Sequence, residues 1–203
     1  MSKPERIGVY GGTFDPVHNA HLSIAHAALD HAKLDRVLFV VSARPPHKRR
    51  GPYASAEDRY AMVEAALAGE GRMEPSRLEM DRNDISYTDA TLAELKRRYP
   101  VSELYLIIGL DSLVELPHWK NMPTILELSR LLVVPRPERR SIPAELEGHY
   151  ELLPFDQTRL SSTEVRRRVA ARQSIRTLVP PAVADVIREK GIYDAGSPGP
   201  ARG

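Results

Sequence analysis

Short runs of apolar residues alternate along the chain with longer stretches in which apolar positions recur every three or four residues. The apolar runs at residues 7–10, 37–41, 104–108 and 131–134 predict buried strands, and residues 150–153 predict a short further strand. The periodic stretches at 22–29, 55–67, 88–99, 162–171 and 182–190 predict helices. This alternation predicts an α/β fold, a Rossmann-like parallel sheet with helices on both faces.

Possible capping residues indicate where two of the predicted helices begin. Ser55 is expected to cap the helix at 55–67. One face of that helix is expected to carry Ala56, Tyr60, Val63 and Leu67. For the helix near residue 22 two starts remain open: Asp15 and Pro16 can serve as cap and first position, or the helix begins a turn later, near Asn19.

The length and composition are those of an ordinary globular protein. The 203 residues suit one domain, which we expect at 1–194, followed by a disordered Gly/Pro/Ala tail at 195–203. Hydrophobic residues at 42% and charged residues at 28% support a substantial core. The formal net charge of +2 is too balanced to indicate a nucleic-acid partner.

The absence of cysteine narrows the chemistry. With 0 cysteines the chain has no disulfide, thiolate metal site or cysteine nucleophile, which fits a reducing compartment. The sequence also contains no signal-peptide core and no apolar run of membrane length. We therefore expect a cytoplasmic protein that does not bind a membrane, with a homo-oligomer left open.

The most informative stretch is Gly-Gly-Thr-Phe-Asp-Pro-Val-His-Asn-Ala-His at residues 11–21, between the first predicted strand and the first predicted helix. A glycine turn at a helix start lets backbone N–H groups approach a phosphate. His18 and His21 can face one side of the helix, where each could donate an N–H to an oxygen that gains charge. Such a pair alone is common on protein surfaces, so the whole string is the more specific sign of chemistry on a phosphate, in phosphoryl or nucleotidyl transfer.

Two basic stretches could hold phosphates. In Ser-Ala-Arg-Pro-Pro-His-Lys at residues 42–48, two prolines stiffen a loop that could present Lys48 to a phosphate. The alternative is a solvated basic loop, since Arg49 and Arg50 follow. Farther along, the hydroxyls at 161–163, a helix start and Arg166 could together hold a triphosphate. A capping box formed by Ser161 and Glu164 would explain the same pattern structurally.

Two further stretches suit a nucleoside with a planar ring. In residues 85–92, Ser86 or Thr88 could cap a helix, or the helix start could offer amide donors to a carboxylate. Asp111 follows a predicted strand, where it could bind ribose hydroxyls or cap a short helix. Trp119 is the only tryptophan; a lone Trp is usually core, but its polar neighbours favour stacking on a ring.

Together, in order, these five stretches resemble the bacterial nicotinate-nucleotide adenylyltransferases, within the nucleotidyltransferase superfamily that shares a fold with class I aminoacyl-tRNA synthetases. The string at 11–21 departs once from the usual pattern, because Ala20 stands where Gly is usual, and a positive φ there would be strained. The Ser-Tyr-Thr stretch usually has an acidic residue at the position of Ala90. Here Asp89 lies one residue earlier, which leaves its role open.

The resemblance implies an enzyme of NAD biosynthesis that joins nicotinate mononucleotide to ATP, giving deamido-NAD and pyrophosphate. It implies catalytic roles for His18, His21, Lys48 and Arg166. The implied ATP-binding residues are Gly11, Gly12, Thr13, Phe14, His18, His21, Gly109, Asp111, Ser162, Thr163 and Arg166. The implied mononucleotide-binding residues are Thr13, Lys48, Ser86, Tyr87, Thr88 and Trp119, with Trp119 stacked on the nicotinate ring.

Mg²⁺ is expected to accompany ATP, bridging its oxygens with few protein ligands, because the sequence contains no evident metal cage. Two alternative functions remain. One is a sister nucleotidyltransferase that acts on phosphopantetheine or nicotinamide mononucleotide, and the other is a catalytically silent nucleotide-binding or RNA-binding module. The intact histidine pair disfavours a silent module, and the near-neutral charge disfavours RNA.

Overall fold

The computed structural model describes residues 3–44, 52–82, 85–136, 141–155 and 160–195. In these ranges six strands form one sheet: β1 (Arg6–Gly12), β2 (Arg36–Val41), β3 (Met73–Ser76), β4 (Glu103–Gly109), β5 (Ser129–Val134) and β6 (Tyr150–Leu152). Their order is β3-β2-β1-β4-β5-β6, and every neighbouring pair is parallel. The predicted parallel α/β sheet is therefore confirmed. All but the first residue of the expected tail at 195–203 lie outside the described residues.

The described ranges contain seven α-helices: α1 (Asn19–His31), α2 (Ala56–Leu67), α3 (Thr88–Arg98), α4 (Leu110–Glu115), α5 (Met122–Leu128), α6 (Ser162–Ala170) and α7 (Pro181–Lys190). The first five lie between strands, and α6 and α7 follow β6. The five predicted helices correspond to α1, α2, α3, α6 and α7. The sequence analysis did not predict β3, a four-residue edge strand that contains Pro75, or the short helix α5. Neither is long enough to carry a clear period.

The sheet is buried on both faces, as a parallel sheet requires. Successive side chains of β4 point to opposite faces, so Ile107 packs in one hydrophobic cluster and Leu106 in the other. Buried residues of α1, α2, α6 and α7 belong to the first cluster, and those of α3, α4 and α5 to the second. No helix in the described ranges is long and apolar enough to cross a membrane.

The sheet order creates a crevice between β1 and β4. After β1 the chain passes through α1 to β2 on one side, whereas after β4 it passes through α4 and α5 to β5 on the other. At such a switch point the connections diverge and leave space beyond the carboxyl ends of the strands, where ligands bind in α/β folds. The motifs at 11–21 and around Asp111 lie at this point, as the sequence predicts.

Several local predictions are resolved. α1 begins at Asn19, the later of the two expected starts, with His18 as its N-cap. Ala20 lies inside the helix and is not among the residues with positive φ, so it carries no backbone strain. Ser55 does cap α2, accepting a hydrogen bond from the Asp58 N–H at 3.0 Å.

The predicted buried face of α2 is only partly right. Its buried residues are Arg59, Met62, Val63, Ala66 and Leu67, whereas Ala56 and Tyr60 are only partly buried. The face is rotated toward Arg59 because the guanidinium of this residue hydrogen-bonds to buried backbone carbonyls. Apolar periodicity alone assigns an arginine to solvent.

Because β5 is buried and β6 lies at the edge of the sheet, the same leucine-to-alanine substitution should lower the free energy of unfolding by different amounts on the two strands. Leu132 in β5 is 0% exposed, whereas Leu152 in the edge strand β6 is 51% exposed. We expect Leu132→Ala to lower the free energy of unfolding by about 2–5 kcal/mol, because it leaves a cavity in the packed core. Leu152→Ala should change it by no more than about 0.5 kcal/mol. Urea unfolding of both variants measures the difference, and equal losses would contradict the assigned core.

Candidate active site

Two clefts open at the carboxyl edge of the sheet, one on each side of the β1–β4 junction. The α6 cleft, of about 330 Å³, is lined by Tyr10, His18, Ala20, His21, Ile24, Gly109, Asp111, Ser112, Val134, Arg136, Phe155, Leu160, Ser161 and Ser162. The α3 cleft, of about 590 Å³, is lined by Gly11, Gly12, Thr13, Ser42, Glu79, Ser86, Tyr87, Thr88, Leu106, Ile107, Ile108, Ser112, His118, Trp119, Lys120 and Ile125. Ser112 lines both clefts, so they are adjacent.

The two histidines of the 11–21 string form a stacked pair in the wall of the α6 cleft. Their ring centroids are 3.7 Å apart, with 19° between the ring planes. The backbone N–H of His18 donates to Nδ1 of His21 at 3.1 Å. Because Nδ1 accepts this bond, a neutral His21 must carry its proton on Nε2. The pair is thus brought together as predicted, and one tautomer of His21 is selected by the backbone.

Both imidazoles are held neutral. Burial lowers the pKa of His18 to about 4, because the charged ring would lose its hydration. Burial likewise lowers the pKa of His21 well below its usual range, and repulsion from His18 adds to the effect. At neutral pH each ring therefore acts as a neutral hydrogen-bond donor rather than as a cation.

The start of α1 offers fewer amide donors than the sequence suggests. The Asn19 N–H donates to the Leu178 carbonyl at 2.9 Å, and the His21 N–H donates to the His18 carbonyl at 2.9 Å. The His18 N–H is used by the His21 ring. Three of the four N–H groups at this helix end are therefore satisfied within the protein. The backbone at this helix start is therefore largely occupied, while the rings of His18 and His21 line the cleft.

The α6 cleft combines polar and apolar walls. Nε of Arg136 lies 3.2 Å from Oδ2 of Asp111, an ion pair that the sequence analysis missed. Arg136 comes shortly after the end of β5, so its position at the carboxyl edge of the sheet was the available signal. Asp111 lies in the first turn of α4, so it stands at a helix start and in the cleft wall at once. Gly109, the last residue of β4, also lines this cleft as predicted.

Of the three residues predicted to bind phosphate at the start of α6, one lines the α6 cleft and two do not. Ser162 lines the α6 cleft, but its hydroxyl donates to the Pro16 carbonyl at 2.9 Å. Arg166 and Thr163 are outside the lining of both clefts: Nη1 of Arg166 donates to the Asp15 carbonyl at 2.6 Å and Nη2 to Thr163 Oγ1 at 3.1 Å. Arg166 is one turn from Ser162 on the same face of α6.

The predicted capping box of α6 is half present. Ser161 Oγ accepts from the Glu164 N–H at 3.3 Å. The Glu164 carboxylate instead pairs with Arg167 and Arg168, each at 2.8 Å, and these pairs lower the pKa of Glu164 to about 2. The two arginines thus cover the outer face of the helix.

The Ser-Tyr-Thr stretch lines the α3 cleft, but it does not act as predicted in detail. Tyr87, and neither Ser86 nor Thr88, is the N-cap of α3. Ser86 Oγ instead accepts from the N–H groups of Ala43 and Arg44, at 3.2 and 3.3 Å, which ties the stretch to the end of β2. The N–H groups of Ser86 and Tyr87 donate to backbone carbonyls. The first amide that α3 can offer to a ligand is therefore that of Thr88.

The α3 cleft is also lined by the predicted Trp119 and by a residue that was not predicted, Lys120. Lys120 Nζ lies 4.5 Å from the centroid of the Tyr87 ring. Among the described residues that line this cleft, Lys120 is the only lysine or arginine and Glu79 the only acidic residue. A cation after Trp119 at a cleft wall was a visible signal that the sequence analysis left unassigned.

The structure gives Asp89 a structural role. Asp89 is buried in the first turn of α3, and its Oδ2 accepts from Nδ2 of Asn121 at 2.6 Å. Asn121 is the N-cap of α5, directly after Lys120. The bond ties together two chain segments that line the α3 cleft, the start of α3 and the segment of Trp119 and Lys120.

The glycine turn packs closely on Phe14, and Phe14 does not lie where the resemblance implies. A Cβ on Gly12 would lie 2.8 Å from the Phe14 ring, so a side chain cannot be added without displacing that ring. Phe14 itself is buried, with its ring centroid 5.6 Å from Tyr10, 5.4 Å from Phe39 and 5.2 Å from His21. Its side chain supports His21 from the core and lines neither cleft, contrary to the expected ATP contact. Gly11 and Gly12 line the α3 cleft rather than the α6 cleft.

The remaining predictions for this site concern Lys48 and the metal ion. Lys48 lies outside the described residues, so its assigned role stays a prediction. Among the described residues, no cluster of three or more His, Asp or Glu side chains could hold a metal ion. The expected Mg²⁺ carried by ATP therefore stays a prediction.

Comparison with known proteins agrees with this architecture. A family model described as Cytidylyltransferase-like matches residues 9–168. A Moorella thermoacetica protein named probable nicotinate-nucleotide adenylyltransferase is 39% identical over 203 residues, which cover 95% of this chain and 94% of that protein. A Thermus thermophilus protein of the same name is 44% identical over 190 residues, covering 93% of this chain and 99% of that protein.

A solved structure is similar over most of the chain. It is the Plasmodium falciparum nicotinic acid mononucleotide adenylyltransferase complexed with NaAD, with a TM-score of 0.79, 18% identity and coverage of 93% of this chain and 97% of that chain. At that identity the likeness supports the fold alone. The family model and the near-complete coverage of the curated relatives go further: the chain belongs to the nicotinate-nucleotide adenylyltransferase family, within the cytidylyltransferase-like proteins.

Proposed function

We propose that the protein joins nicotinate mononucleotide to ATP, forming deamido-NAD and releasing pyrophosphate. The observation that carries the proposal is the pair of adjacent clefts at the β1–β4 switch point, which share Ser112 and have His18 and His21 in the wall of one of them. A transferase for two nucleotides needs two neighbouring sites with charge-stabilising donors near their junction.

The linings favour ATP in the α6 cleft and the mononucleotide in the α3 cleft. The α6 cleft has an apolar part suited to a purine base, formed by Ile24, Val134, Phe155 and Leu160, together with Arg136. The α3 cleft has the indole of Trp119, which suits stacking on a pyridine ring. Arg166, one turn from Ser162, would reach the outer phosphates after exchanging its contact with the Asp15 carbonyl.

The reaction requires no covalent intermediate on the protein. An oxygen of the mononucleotide 5′-phosphate attacks the α-phosphorus of ATP, the bond from that phosphorus to the bridging oxygen breaks, and pyrophosphate leaves with the electron pair. Both reactants are anions, so the protein must hold them in line and stabilise the charge on the transferred group. His18 and His21 would do this as neutral donors, since their lowered pKa values keep the rings uncharged.

Mg²⁺ would bind to the ATP phosphates, where it would neutralise part of their charge. We assign it no dedicated protein ligands among the described residues, in keeping with their donor set. The tasks left to the chain are to orient ATP, to place the mononucleotide phosphate and to donate hydrogen bonds from the histidine pair.

The α3 cleft should prefer nicotinate mononucleotide over its amide. Lys120 and Thr88 both line this cleft, so the Lys120 ammonium and the Thr88 N–H could both donate to the nicotinate carboxylate. The amide lacks the negative charge and would lose a charge-assisted hydrogen bond. Such a bond is worth roughly one to two decades in specificity.

A pyrophosphate-release assay with ATP and a panel of co-substrates tests the function. We expect nicotinate mononucleotide to be turned over with a kcat/KM about 10- to 100-fold above that of nicotinamide mononucleotide. Phosphopantetheine should be inactive, because it offers no ring to Trp119. Equal kcat/KM for nicotinate mononucleotide and nicotinamide mononucleotide would show that the enzyme does not select the acid. Turnover of phosphopantetheine alone would refute the proposed substrate.

Two variants in the same assay separate charge from stacking. Lys120→Gln should reduce the acid-to-amide ratio of kcat/KM by about threefold or more, because it removes the only lysine or arginine described in that cleft lining. Lys120→Arg should restore much of the ratio. Trp119→Ala should lower kcat/KM for both substrates and leave their ratio nearly unchanged, since stacking does not depend on the carboxylate. An unchanged ratio in Lys120→Gln would remove Lys120 from the selectivity account.

The histidine roles predict a loss of rate rather than of affinity. His18→Ala and His21→Ala should each lower kcat by about 10²–10³ with a smaller change in KM, because a preorganised donor to the transition state is lost. His26, half-exposed on the same helix and 3.4 Å from Glu70, provides the control, and His26→Ala should retain kcat. Steady-state kinetics decide the point; a folded His18 or His21 variant with normal kcat would contradict the assignment.

A further inference from the structure

Beneath the Gly-Gly-Thr turn lie two buried charged groups to which the proposed reaction gives no direct role. Arg59 in α2 is 1% exposed, and Asp15 in the loop after β1 is 3% exposed. Charged groups are rarely so deeply buried unless their hydrogen bonds are satisfied. The acceptors of Arg59 and the donors to Asp15 show what the two residues hold.

Arg59 joins the ends of the two neighbouring strands β1 and β2. Its Nη1 donates to the Thr13 carbonyl at 2.8 Å and to the Ser42 carbonyl at 2.7 Å, and its Nε donates to the Ala54 carbonyl at 3.3 Å. Thr13 and Ser42 both line the α3 cleft. A single guanidinium thus sets the separation of two backbone segments that form one wall of the substrate cleft.

Asp15 joins the catalytic turn to two distant segments. Its carboxylate accepts from the N–H of Tyr53 at 2.8 Å and from the N–H of Ala54 at 3.1 Å. It also accepts from the hydroxyl of Tyr193 at 2.7 Å, across 178 positions of sequence. Burial and the neighbouring carboxylate raise the pKa of Tyr193 above its usual range, so the phenol keeps the proton that it donates.

The C-terminal segment therefore reaches the loop of the histidine pair. Tyr193 comes shortly after the end of α7 and has a φ of 68°, a left-handed conformation that is uncommon for a tyrosine. Its hydroxyl contacts Asp15, only three residues before His18. The backbone carbonyl of the same Asp15 accepts from Arg166 of α6.

We propose that Tyr193 and Arg59 are positioning residues of the active site, and that the segment after α7 supports the 11–21 loop through the hydroxyl of Tyr193. The inference rests on the proposed function for its kinetic consequence. Neither residue lines either cleft. They act by fixing the backbone that carries Thr13, Asp15 and His18.

A second tether of the same segment supplies a matched control. Lys190, at the end of α7, lies 2.7 Å from Oδ1 of Asp58 in the first turn of α2. Both tethers attach the C-terminal region to the body of the protein, but only that of Tyr193 ends on the catalytic loop. Lys190→Gln therefore removes the contact between α7 and α2 but keeps the hydrogen bond from Tyr193 to Asp15.

The test compares Tyr193→Phe with Lys190→Gln by steady-state kinetics and thermal unfolding. We expect Tyr193→Phe to lower kcat about tenfold with less than about a twofold change in KM, because a displaced reactive group costs rate. We expect Lys190→Gln to retain kcat even if its melting temperature falls as much. An unchanged kcat in Tyr193→Phe, or equal losses of kcat in both variants, would overturn the proposal.

A readout independent of activity and a second variant complete the test. In ¹H–¹⁵N spectra, Tyr193→Phe should shift the amide signals of Gly12 and Thr13, and Lys190→Gln should not. Arg59→Lys keeps the charge but not the planar fork, so it should lower kcat less than Arg59→Met does. If wild type releases no pyrophosphate with nicotinate mononucleotide, the proposed function fails. If wild type is active while neither Tyr193→Phe nor Arg59→Met loses kcat, only the present inference fails.

Discussion

The site depends on one topological constraint, which is that β1 and β4 are hydrogen-bonded neighbours whose following segments leave in opposite directions. The divergence prevents the connections from covering the carboxyl ends of the two strands, so space remains on both sides of the junction. The chain fills the rim of that space with α1 and α6 on one side and with α3 and the Trp119 segment on the other. The two adjacent clefts are thus a consequence of strand order, and their lining chemistry follows from the residues at the strand ends.

The electrostatics of the site are organised by burial more than by net positive charge. Buried surroundings hold the histidine pair neutral, and the His18 N–H directs the remaining proton of His21 to Nε2. Neutral donors cost less to bury than cations, and they need no reorganisation when charge develops on a phosphate. Phe14 packs against His21 from the core side, so the fold fixes the ring that the chemistry would use.

Much of the fold and of the site could be predicted because their signals are local. The buried strands are apolar runs, and the site motifs are short strings at strand ends, so periodicity and spacing identify both. Contacts between distant residues have no such signal. The local pattern assigns Arg59 to solvent until its carbonyl acceptors after two strands are known, and the hydroxyl of Tyr193 reaches Asp15 across 178 positions. A helix cap was one of the two roles left open for Ser86, but its hydroxyl accepts from the N–H groups of Ala43 and Arg44 after β2, partners that the local pattern cannot specify.

The central claim is that the two clefts hold the two substrates side by side, and Trp119 offers a direct test because it is the only tryptophan. The measurement is the intrinsic fluorescence of the protein during titration with nicotinate mononucleotide and, separately, with a non-hydrolysable ATP analogue. The account predicts that the mononucleotide quenches Trp119 by stacking, that the ATP analogue does not, and that each ligand still binds when the other is saturating. Quenching by the ATP analogue together with mutual competition would show a single shared cleft and contradict the account.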